Sequence, residues 1–289
     1  MAQASPLQFA CDPSGGALWK FALAEPAPGL RRHVLRYCGY VENTGTPLKR
    51  RELPSGGIAL IINLGPLLRV AHPDGGDAWA GSGAGFMAGL QDRFVLTETS
   101  GVQRGVQIDF SPIGAALFLG RPLGALGNQV VDLAALMGPE GRRLVEQLDA
   151  ASGWAARFVL LDRVIAGRIA AARPVGGELR RAWTALEASG GRIEIGALAQ
   201  EIGWSRTHLI RRFTEQFGLP PKRTARILRF DRAVRLLRSG AAESWAALAL
   251  DCGYYDQAHM IREFRRFAGS APEDFAARQL PEGGGMRGD

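Results

Sequence analysis

The sequence predicts an α+β protein made of a β-rich amino-terminal domain with trailing helices and an all-α carboxyl-terminal domain. Up to about residue 115, short apolar runs alternate with glycine-rich turns, which is typical of a small sheet sandwich or barrel. From Pro112 onward the apolar residues take helical spacing. Beyond residue 177 the chain is helical throughout, and one helical pattern occurs there twice.

Length and composition favour two folded domains over a disordered chain. The chain has 289 residues, of which 46% are hydrophobic, so each half can bury a core. The net charge of +7 and the isoelectric point near 9.9 are compatible with a polyanionic partner, although a GC-rich genome that favours arginine explains the same balance. The cysteines are isolated at Cys11, Cys38 and Cys252, so neither a disulfide framework nor a zinc site is indicated.

Nothing in the sequence has the features of a membrane span or a secretory signal. The longest apolar runs, such as Ile58 to Leu64, are far shorter than the roughly 20 residues of a membrane-spanning helix. The amino terminus lacks a basic region followed by an apolar run. We therefore expect a cytoplasmic protein with no membrane association.

The clearest strand is the β-branched run Ile58 to Leu64, which lies between Gly56-Gly57 and Gly65-Pro66. Residues 67–71 and 94–99 are weaker strand candidates, and residues 102–110 alternate as a strand does. Turns are predicted at residues 72–77 (HPDGGD) and 81–85 (GSGAG).

Helical spacing then predicts four helices, at residues 115–119, 133–137, 142–150 and 154–172. Pro174 ends the last of them, so we place the domain boundary there. The expected organisation is a domain at 1–173 (β-rich at 1–115, helical at 115–173), an all-helical domain at 178–280, and a disordered tail at 281–289.

The repeated pattern covers residues 199–218 and 249–269. Each copy has Ala-x-x-x-Gly, an aromatic residue, a helix-capping residue, and a helix that ends in Phe and Gly. Gly203 and Gly253 are placed where a helix ends in a left-handed conformation. Ser205 and Asp256 are placed to cap the next helix through its free N–H groups.

Each copy thus predicts two short helices joined by a glycine turn, which is helix-turn-helix geometry. The core-facing stripes are Leu209, Phe213, Phe217 and Met260, Phe264, Phe267. The opposite faces carry Arg206, Thr207, Ile210, Arg211 and Gln257, Ala258, Ile261, Arg262. A helix through Ile227, Phe230, Val234 and Leu237 joins the copies, and Ser270 followed by Pro272 and Glu273 predicts a capped final helix.

Residues 190–278 resemble the DNA-binding domain of the AraC/XylS family of bacterial regulators across nearly its whole length. The residues that match are Leu198-Ala199, Gly203, Ser205, Leu209, Arg212-Phe213, Gly218, Arg229, Ala233, Leu236-Leu237, Ala249, Gly253-Tyr254, Phe264-Arg265-Arg266, Gly269 and Pro272. Departures from the family pattern are Tyr254-Tyr255-Asp256, Arg223-Thr224, Cys252 and Ala258-His259-Met260. The last of these changes which bases can be read.

The resemblance implies binding to double-stranded DNA, with two helices in successive major-groove segments about 10 base pairs apart. Carried over by position, the base-facing residues are Arg206, Thr207, Ile210, Arg211, Gln257, Ala258, His259 and Arg262. Arginines suit guanine, Gln257 suits adenine, and Ile210 or Ala258 suits a thymine methyl group. Phosphate contacts are expected at the helix starts near Ser205 and Asp256. The alternative for the arginines is a solvated helix face, and for His208 and His259 a surface or capping-turn histidine.

Charge agrees modestly with DNA binding, since residues 178–279 carry 17 Lys and Arg against 12 Asp and Glu.

The amino-terminal region resembles, more loosely, the cupin-like sensor domains attached to this family's DNA-binding unit. The matching features are Leu53-Pro54-Ser55-Gly56-Gly57 before the first strong strand, and residues 105–112 before the helices. The resemblance implies sensing of a small-molecule effector, homodimerisation or both, with RNA polymerase as a further partner if the protein is an activator. It assigns no ligand.

The rival class is an enzyme, because cupin barrels often bind a catalytic metal. His33 and His72 are widely spaced, and no GxSxG or HExxH motif is present. The GSGAG segment lacks the strand-turn-helix context of a nucleotide loop. Cys38 has a basic neighbour, Arg36, that would lower the pKa of its thiol, which leaves a redox or alkylation sensor as a minor hypothesis beside a buried structural thiol. We expect no catalytic residues, no metal and no cofactor.

Overall fold

Two antiparallel sheets form the amino-terminal part of a computed structural model that describes residues 18–72, 80–241, 244–280 and 285–288. Within these residues, a six-stranded sheet has the order β1-β2-β9-β4-β7-β10 and a five-stranded sheet the order β11-β3-β8-β5-β6. The strands are β1 (Leu18–Ala24), β2 (Val34–Asn43), β3 (Leu48–Glu52), β4 (Ile58–Asn63), β5 (Leu68–Ala71), β6 (Ala80–Ser82), β7 (Gly85–Ala88), β8 (Val95–Thr99), β9 (Val102–Phe110), β10 (Val130–Asp132) and β11 (Met286–Arg287).

The four strands expected from the sequence are confirmed as β4, β5, β8 and β9. The GSGAG turn connects β6 in one sheet to β7 in the other. Cys11 and most of the predicted 72–77 turn lie outside the described residues.

One face of the six-stranded sheet packs on helices, and this interface is the larger part of the core. Ile58, Leu60 and Ile62 alternate along β4 and are buried with the helices that follow β9. Phe110 stacks on Phe118 with ring centroids 5.1 Å apart. The helices here are α1 (Pro112–Leu119), α2 (Leu133–Met137), α3 (Pro139–Ala150) and α4 (Gly153–Ala171), so all four predicted helices are present.

The carboxyl-terminal part is helical up to residue 277, and α8 lies at its centre. The helices are α5 (Gly177–Ala188), α6 (Ile195–Glu201), α7 (Arg206–Phe217), α8 (Pro221–Arg238), α9 (Trp245–Asp251), α10 (Gln257–Ala268) and α11 (Pro272–Ala277). Helix α8 contacts α5, α7, α9 and α10. Its buried Phe230 packs on Phe264 and Phe267, at 4.8 and 5.0 Å between ring centroids.

Two expectations for the end of the chain are wrong. The tail is not wholly irregular, because Met286 and Arg287 pair with Arg51 and Arg50 of β3 and extend the five-stranded sheet. This pairing spans more than 200 residues, so no local pattern signals it. Helix α11 begins at Pro272 as expected, but its N-cap is Ala271, and the Ser270 hydroxyl instead contacts the Met286 sulfur at 3.6 Å. Residues 281–284 and 289 lie outside the described residues.

No helix in the described ranges is long and apolar enough to cross a bilayer.

Candidate nucleic-acid interface

The first helix-turn-helix unit consists of α6, a glycine turn and α7. Gly203 has a φ of +76°, which a residue with a side chain adopts only at a cost, so glycine suits this turn. Ser205 lies in extended backbone, and its hydroxyl accepts a hydrogen bond from the His208 N–H at 3.3 Å. This bond satisfies one of the free N–H groups at the start of α7. The predicted glycine turn and the predicted cap are both present.

The second unit, α9 and α10, repeats this construction with one more residue in the turn. Gly253 has a φ of +77°, and the Asp256 carboxylate accepts from the His259 N–H at 2.6 Å. Between glycine and cap there is one residue in the first unit and there are two in the second. The additional residue is Tyr255, whose side chain points into solvent.

Both second helices are held by aromatic packing on their inner faces. Leu209, Phe213 and Phe217 of α7 are fully buried, and Trp183 of α5 lies against Phe217 at 5.2 Å between ring centroids. On α10 the buried residues are Met260, Phe264 and Phe267. Because these stripes fix each helix about its own axis, the opposite faces are directed outward.

The residues expected to face bases lie on those outward faces, with two partial exceptions. The exposed ones are Arg206, Thr207, Arg211, Gln257, Ala258 and Arg262, whereas Ile210 and His259 are half-buried. They fall into two groups, one at the start of each second helix. Each group combines the free N–H groups of a helix start with at least one exposed arginine in the first two turns, a combination that suits an anion.

Two arginines of α7 are paired with a carboxylate of the same helix. Glu215 accepts from Arg211 at 3.0 Å and from Arg212 at 2.9 Å. These are exposed pairs one turn apart, which are worth only a few tenths of a kcal/mol each, so a guanine or a phosphate can compete for Arg211. On α10, Arg262 is exposed, and within the described residues no ion pair or side-chain hydrogen bond holds it.

His259 has a partner inside the turn. Its Nδ1 accepts from the Tyr255 N–H at 3.4 Å, while its ring meets the Tyr254 ring edge-on at 5.4 Å. Together with the Asp256 bond, this makes a reciprocal cap. The Asp256 carboxylate accepts from the His259 N–H, and the His259 ring accepts from the N–H of the residue before Asp256. The geometry favours a positioning role for His259 over direct base contact. His208 is similarly edge-on to Trp204, at 4.6 Å.

A charge pair between half-buried Arg226 and buried Glu263 connects α8 to α10. The Arg226 guanidinium donates to both carboxylate oxygens of Glu263, with Nε at 3.0 and 3.2 Å. These hydrogen bonds raise the pKa of Arg226, so its guanidinium stays protonated. Burial raises the pKa of Tyr254 well above its usual range and that of the Cys252 thiol to about 11. Arg226, Tyr254 and Cys252, beneath the second unit, therefore each keep their proton near neutral pH.

Tyr255 is the surface residue that sequence reasoning missed. It is 87% exposed, the most exposed of the large apolar side chains in the described residues, and it directly precedes the cap of α10. The signal was the one-residue difference between the two turns. An aromatic ring with a hydroxyl at this point suits a sugar-phosphate backbone or a base edge.

In the described part of the chain, no group of three or more His, Cys, Asp or Glu residues is arranged to hold a metal ion. Cys38 is buried in β2 and faces the space between the sheets.

Two family models match the chain. Residues 198–278 match a helix-turn-helix domain, and residues 23–132 match a domain of unknown function, DUF6597. An uncharacterized HTH-type transcriptional regulator of Bacillus subtilis (strain 168), YbfI, is 35% identical over 68 residues, which is 24% of this chain and 24% of YbfI. The chain thus spans about a quarter of that relative's length.

Among solved structures, ToxT from Vibrio cholerae in its P21 crystal form has a TM-score of 0.50 at 10% identity, covering 83% of this chain and 97% of ToxT. A fatty-acid-bound form of wild-type ToxT from Vibrio cholerae strain SCE256 gives 0.49 at 7% identity, over 87% and 96% of the two chains. The first likeness concerns the fold alone. Residues 198–278 therefore form a helix-turn-helix domain, and the chain as a whole has the fold seen in ToxT, with a β-rich domain before the helical one.

Proposed function

We propose that the protein is a sequence-specific DNA-binding transcription regulator that reads two adjacent major-groove segments with α7 and α10. The observation that carries the proposal is the pair of capped helices. In each of them the buried aromatic stripe fixes the orientation of the helix, so that its polar face is exposed to solvent. A single helix-turn-helix reads one groove segment, whereas two on a shared helix read a bipartite site.

The proposed base contacts are Arg206, Thr207, Ile210 and Arg211 in the first unit, and Gln257, Ala258 and Arg262 in the second. Arg211 and Arg262 are best placed for bidentate bonds to guanine, and Gln257 for adenine. Ser205 and Asp256 start the helices whose free N–H groups approach phosphates. We assign His259 to the cap of α10 and Tyr255 to the DNA surface.

Selection from a random duplex library tests this proposal. The full-length chain should enrich a bipartite site with halves about one helical turn apart. Arg211→Ala and Arg262→Ala should each weaken binding by about 1–3 kcal/mol and relax the preference at one base pair. Arg181→Ala, an exposed arginine of α5, is the matched control and should leave every base preference intact. Failure to enrich any site, with or without added effectors, would contradict sequence-specific recognition.

We further propose that the β-rich domain holds a small-molecule effector. A cavity of about 760 Å³ lies between the two sheets, a size that suits a small ligand. Phe21, Tyr40, Ala59 and Ile61 line it on one sheet, and Asp231, Val234, Arg235 and Arg238 of α8 lie at its edge. A ligand here would contact α8, and α8 in turn contacts both α7 and α10.

Ligand-induced thermal shifts of the full chain, screened over small polar and amphipathic molecules, test the effector proposal. Ala59→Leu, which fills part of the cavity, should abolish the shift and leave DNA binding without ligand unchanged. A ligand whose shift survives in this variant binds elsewhere.

Homodimerisation, we propose, uses the outer face of α4. Its inner face packs on the sheet through Phe158, Leu161 and Ile165, while its outer face exposes Ala155, Ala156, Val159, Ala166 and Ala170. Val159→Glu should yield a monomer in sedimentation, whereas Val102→Glu, at a valine of similar exposure, should not. If the protein activates transcription, RNA polymerase is its further partner.

A further inference from the structure

Two loops of the β-rich domain touch the carboxyl ends of both recognition helices, α7 and α10. We call residues 89–94 and 123–129 together the bracket. Its halves are bonded to each other: Asn128 N–H donates to the Leu90 carbonyl at 2.9 Å, and Asp92 N–H donates to the Asn128 side chain at 2.8 Å. Gly89 lies so close to the Leu126 carbonyl that a Cβ on it would be 1.9 Å from that oxygen.

The second half of the bracket holds α7. Leu123 N–H donates to the Gln216 carbonyl at 2.9 Å and so satisfies an acceptor at the end of the helix, where carbonyls lack partners. Gly127 packs backbone to backbone on Gly218, the left-handed cap of α7, where a Cβ at residue 127 would be 2.0 Å from the Gly218 oxygen. Only glycine permits this approach.

The first half holds α10. The buried Asp92 carboxylate lies 3.6 Å from Arg266 of α10 and 3.1 Å from Arg223 of α8. The Phe94 ring packs against Gly269, the left-handed cap of α10. From neighbouring β3, the Arg51 guanidinium donates to the Gly269 carbonyl at 3.0 Å, which places a cation at the negative end of the helix dipole.

We propose that the bracket is a positioning element that sets the distance and relative rotation of α7 and α10, and hence the half-site spacing that the protein prefers. This proposal rests on the proposed DNA-binding function. Helix α8 alone would join the two helix-turn-helix units through one connection. The bracket adds a second connection, because it contacts the carboxyl end of each recognition helix. Gly89 and Gln91 also line the cavity, so the bracket connects the proposed effector site to the spacing of the helices.

Operators with altered spacing test the bracket. Each inserted base pair moves one half-site by about 3.4 Å and rotates it by roughly 34°, so a rigid frame tolerates few changes. The full-length protein should lose about 10-fold or more in affinity when the spacing of its selected site changes by one base pair. Gly127→Ala and the isosteric Asp92→Asn should reduce this loss to about threefold or less, with base preferences within each half-site unchanged.

Matched controls are Gly29→Ala, whose new methyl group meets nothing within 4 Å, and Asp149→Asn, whose partner Arg104 lies in the β-rich domain. Both should keep the wild-type spacing profile. Bracket variants that fold and also keep that profile would overturn the proposal. Asp92→Asn, which preserves side-chain shape, covers the case in which Gly127→Ala fails to fold.

A second measurement separates this proposal from the proposed function. Spin labels at Thr207→Cys and Gln257→Cys report the distance between the two recognition helices without DNA. A narrow distribution in the wild-type background that broadens in both bracket variants supports the bracket, and an equally narrow distribution in all proteins refutes it. A distribution that is narrow in wild type and broad in both bracket variants, in a protein with no bipartite DNA preference, would overturn the DNA-binding function and keep the positioning role of the bracket.

Discussion

Glu215 is the carboxylate that pairs with two arginines of the first recognition helix. Its carboxylate bonds Arg211 and Arg212 at the surface, where such pairs add little to stability. Glu215→Gln removes a negative charge that would face DNA and releases both guanidinium groups. We expect DNA affinity to rise severalfold and the free energy of unfolding to change by less than about 0.5 kcal/mol.

Fluorescence anisotropy on the selected duplex, at several salt concentrations, measures this effect. The gain should shrink as salt rises, because it is electrostatic. Glu187→Gln, at an acidic residue of α5, is the comparison. Weaker binding by Glu215→Gln would mean that the carboxylate orients Arg211 for DNA instead of competing for it.

Tyr255 tests whether an exposed aromatic residue contributes to binding without contributing to folding. Because the side chain is 87% exposed, Tyr255→Ala should change the free energy of unfolding by less than about 0.5 kcal/mol. DNA affinity should fall by about 1 kcal/mol or more if the ring contacts the duplex. Tyr255→Phe separates the ring from the hydroxyl: a phosphate bond is lost in both variants, whereas ring packing is lost only in Tyr255→Ala. Unaltered affinity in both would remove Tyr255 from the interface.

At the scale of single residues, local chemistry was predictable and partner choice was not. The caps Ser205 and Asp256 follow from side chains that can bond the first helical turn, and both bonds are present. Ser270 has the same chemistry, yet its hydroxyl contacts the sulfur of Met286, because strand β11 lies beside it. The sequence cannot show such a distant competitor.

Among elements, the glycine turns allow a test with an internal control. Gly203 has a φ of +76° and open space around its α-carbon, so Gly203→Ala adds backbone strain without a clash. We expect it to destabilise the protein by roughly 1 kcal/mol. Gly196, exposed in α6 with no positive φ and no close neighbour, should behave oppositely, and Gly196→Ala should stabilise by about 0.5–1 kcal/mol.

Urea unfolding of the full-length chain measures both variants against wild type. Effects of the same sign would show that the turn is not held in the left-handed region.

The strands show which patterns identify an element and which do not. β9 alternates in sequence because one of its faces packs on helices and the other faces the opposite sheet. β2 lies between β1 and β9, with four consecutive buried residues that include Gly39, so it shows neither alternation nor an unbroken β-branched run. β7 begins at Gly85, where a Cβ would come within 2.0 Å of the Ile61 carbonyl, so a glycine that suggested a turn instead permits close strand contact.

At the scale of the whole molecule, the β-rich domain and the helical domain could each be predicted from the sequence, whereas the contact between them could not. The bracket depends on glycines at residues 89 and 127 whose neighbours, Leu126 and Gly218, are distant in sequence. In sequence alone these glycines are indistinguishable from loop glycines. The repeated helix-turn-helix pattern is visible because every position in it serves a contact within the same unit.

We expect Asp231 to give the contact between the two parts a pH dependence. It lies on α8 beside the cavity, 3.8 Å from Arg235, and accepts a hydrogen bond from the Gly56 backbone of the β-rich domain. Burial, the largest cause, raises the pKa of this carboxyl above its ordinary value of 3.8. The folded protein therefore holds this proton more tightly than the unfolded chain does.

The sign of the effect follows from that difference in proton binding. The stability due to Asp231 is fully present below pH 4 and is lost as the pH rises through the raised pKa, because the unfolded chain releases the proton first. Asp231→Asn keeps an acceptor for Gly56 but cannot ionise. Its free energy of unfolding should match wild type near pH 4 and exceed it increasingly toward neutral pH. Urea unfolding at intervals between pH 4 and 8 gives the two curves. If they ran parallel, or if the variant became the less stable protein as pH rose, the attraction of Arg235 and Arg238 would outweigh burial, and α8 would be held against the β-rich domain by charge.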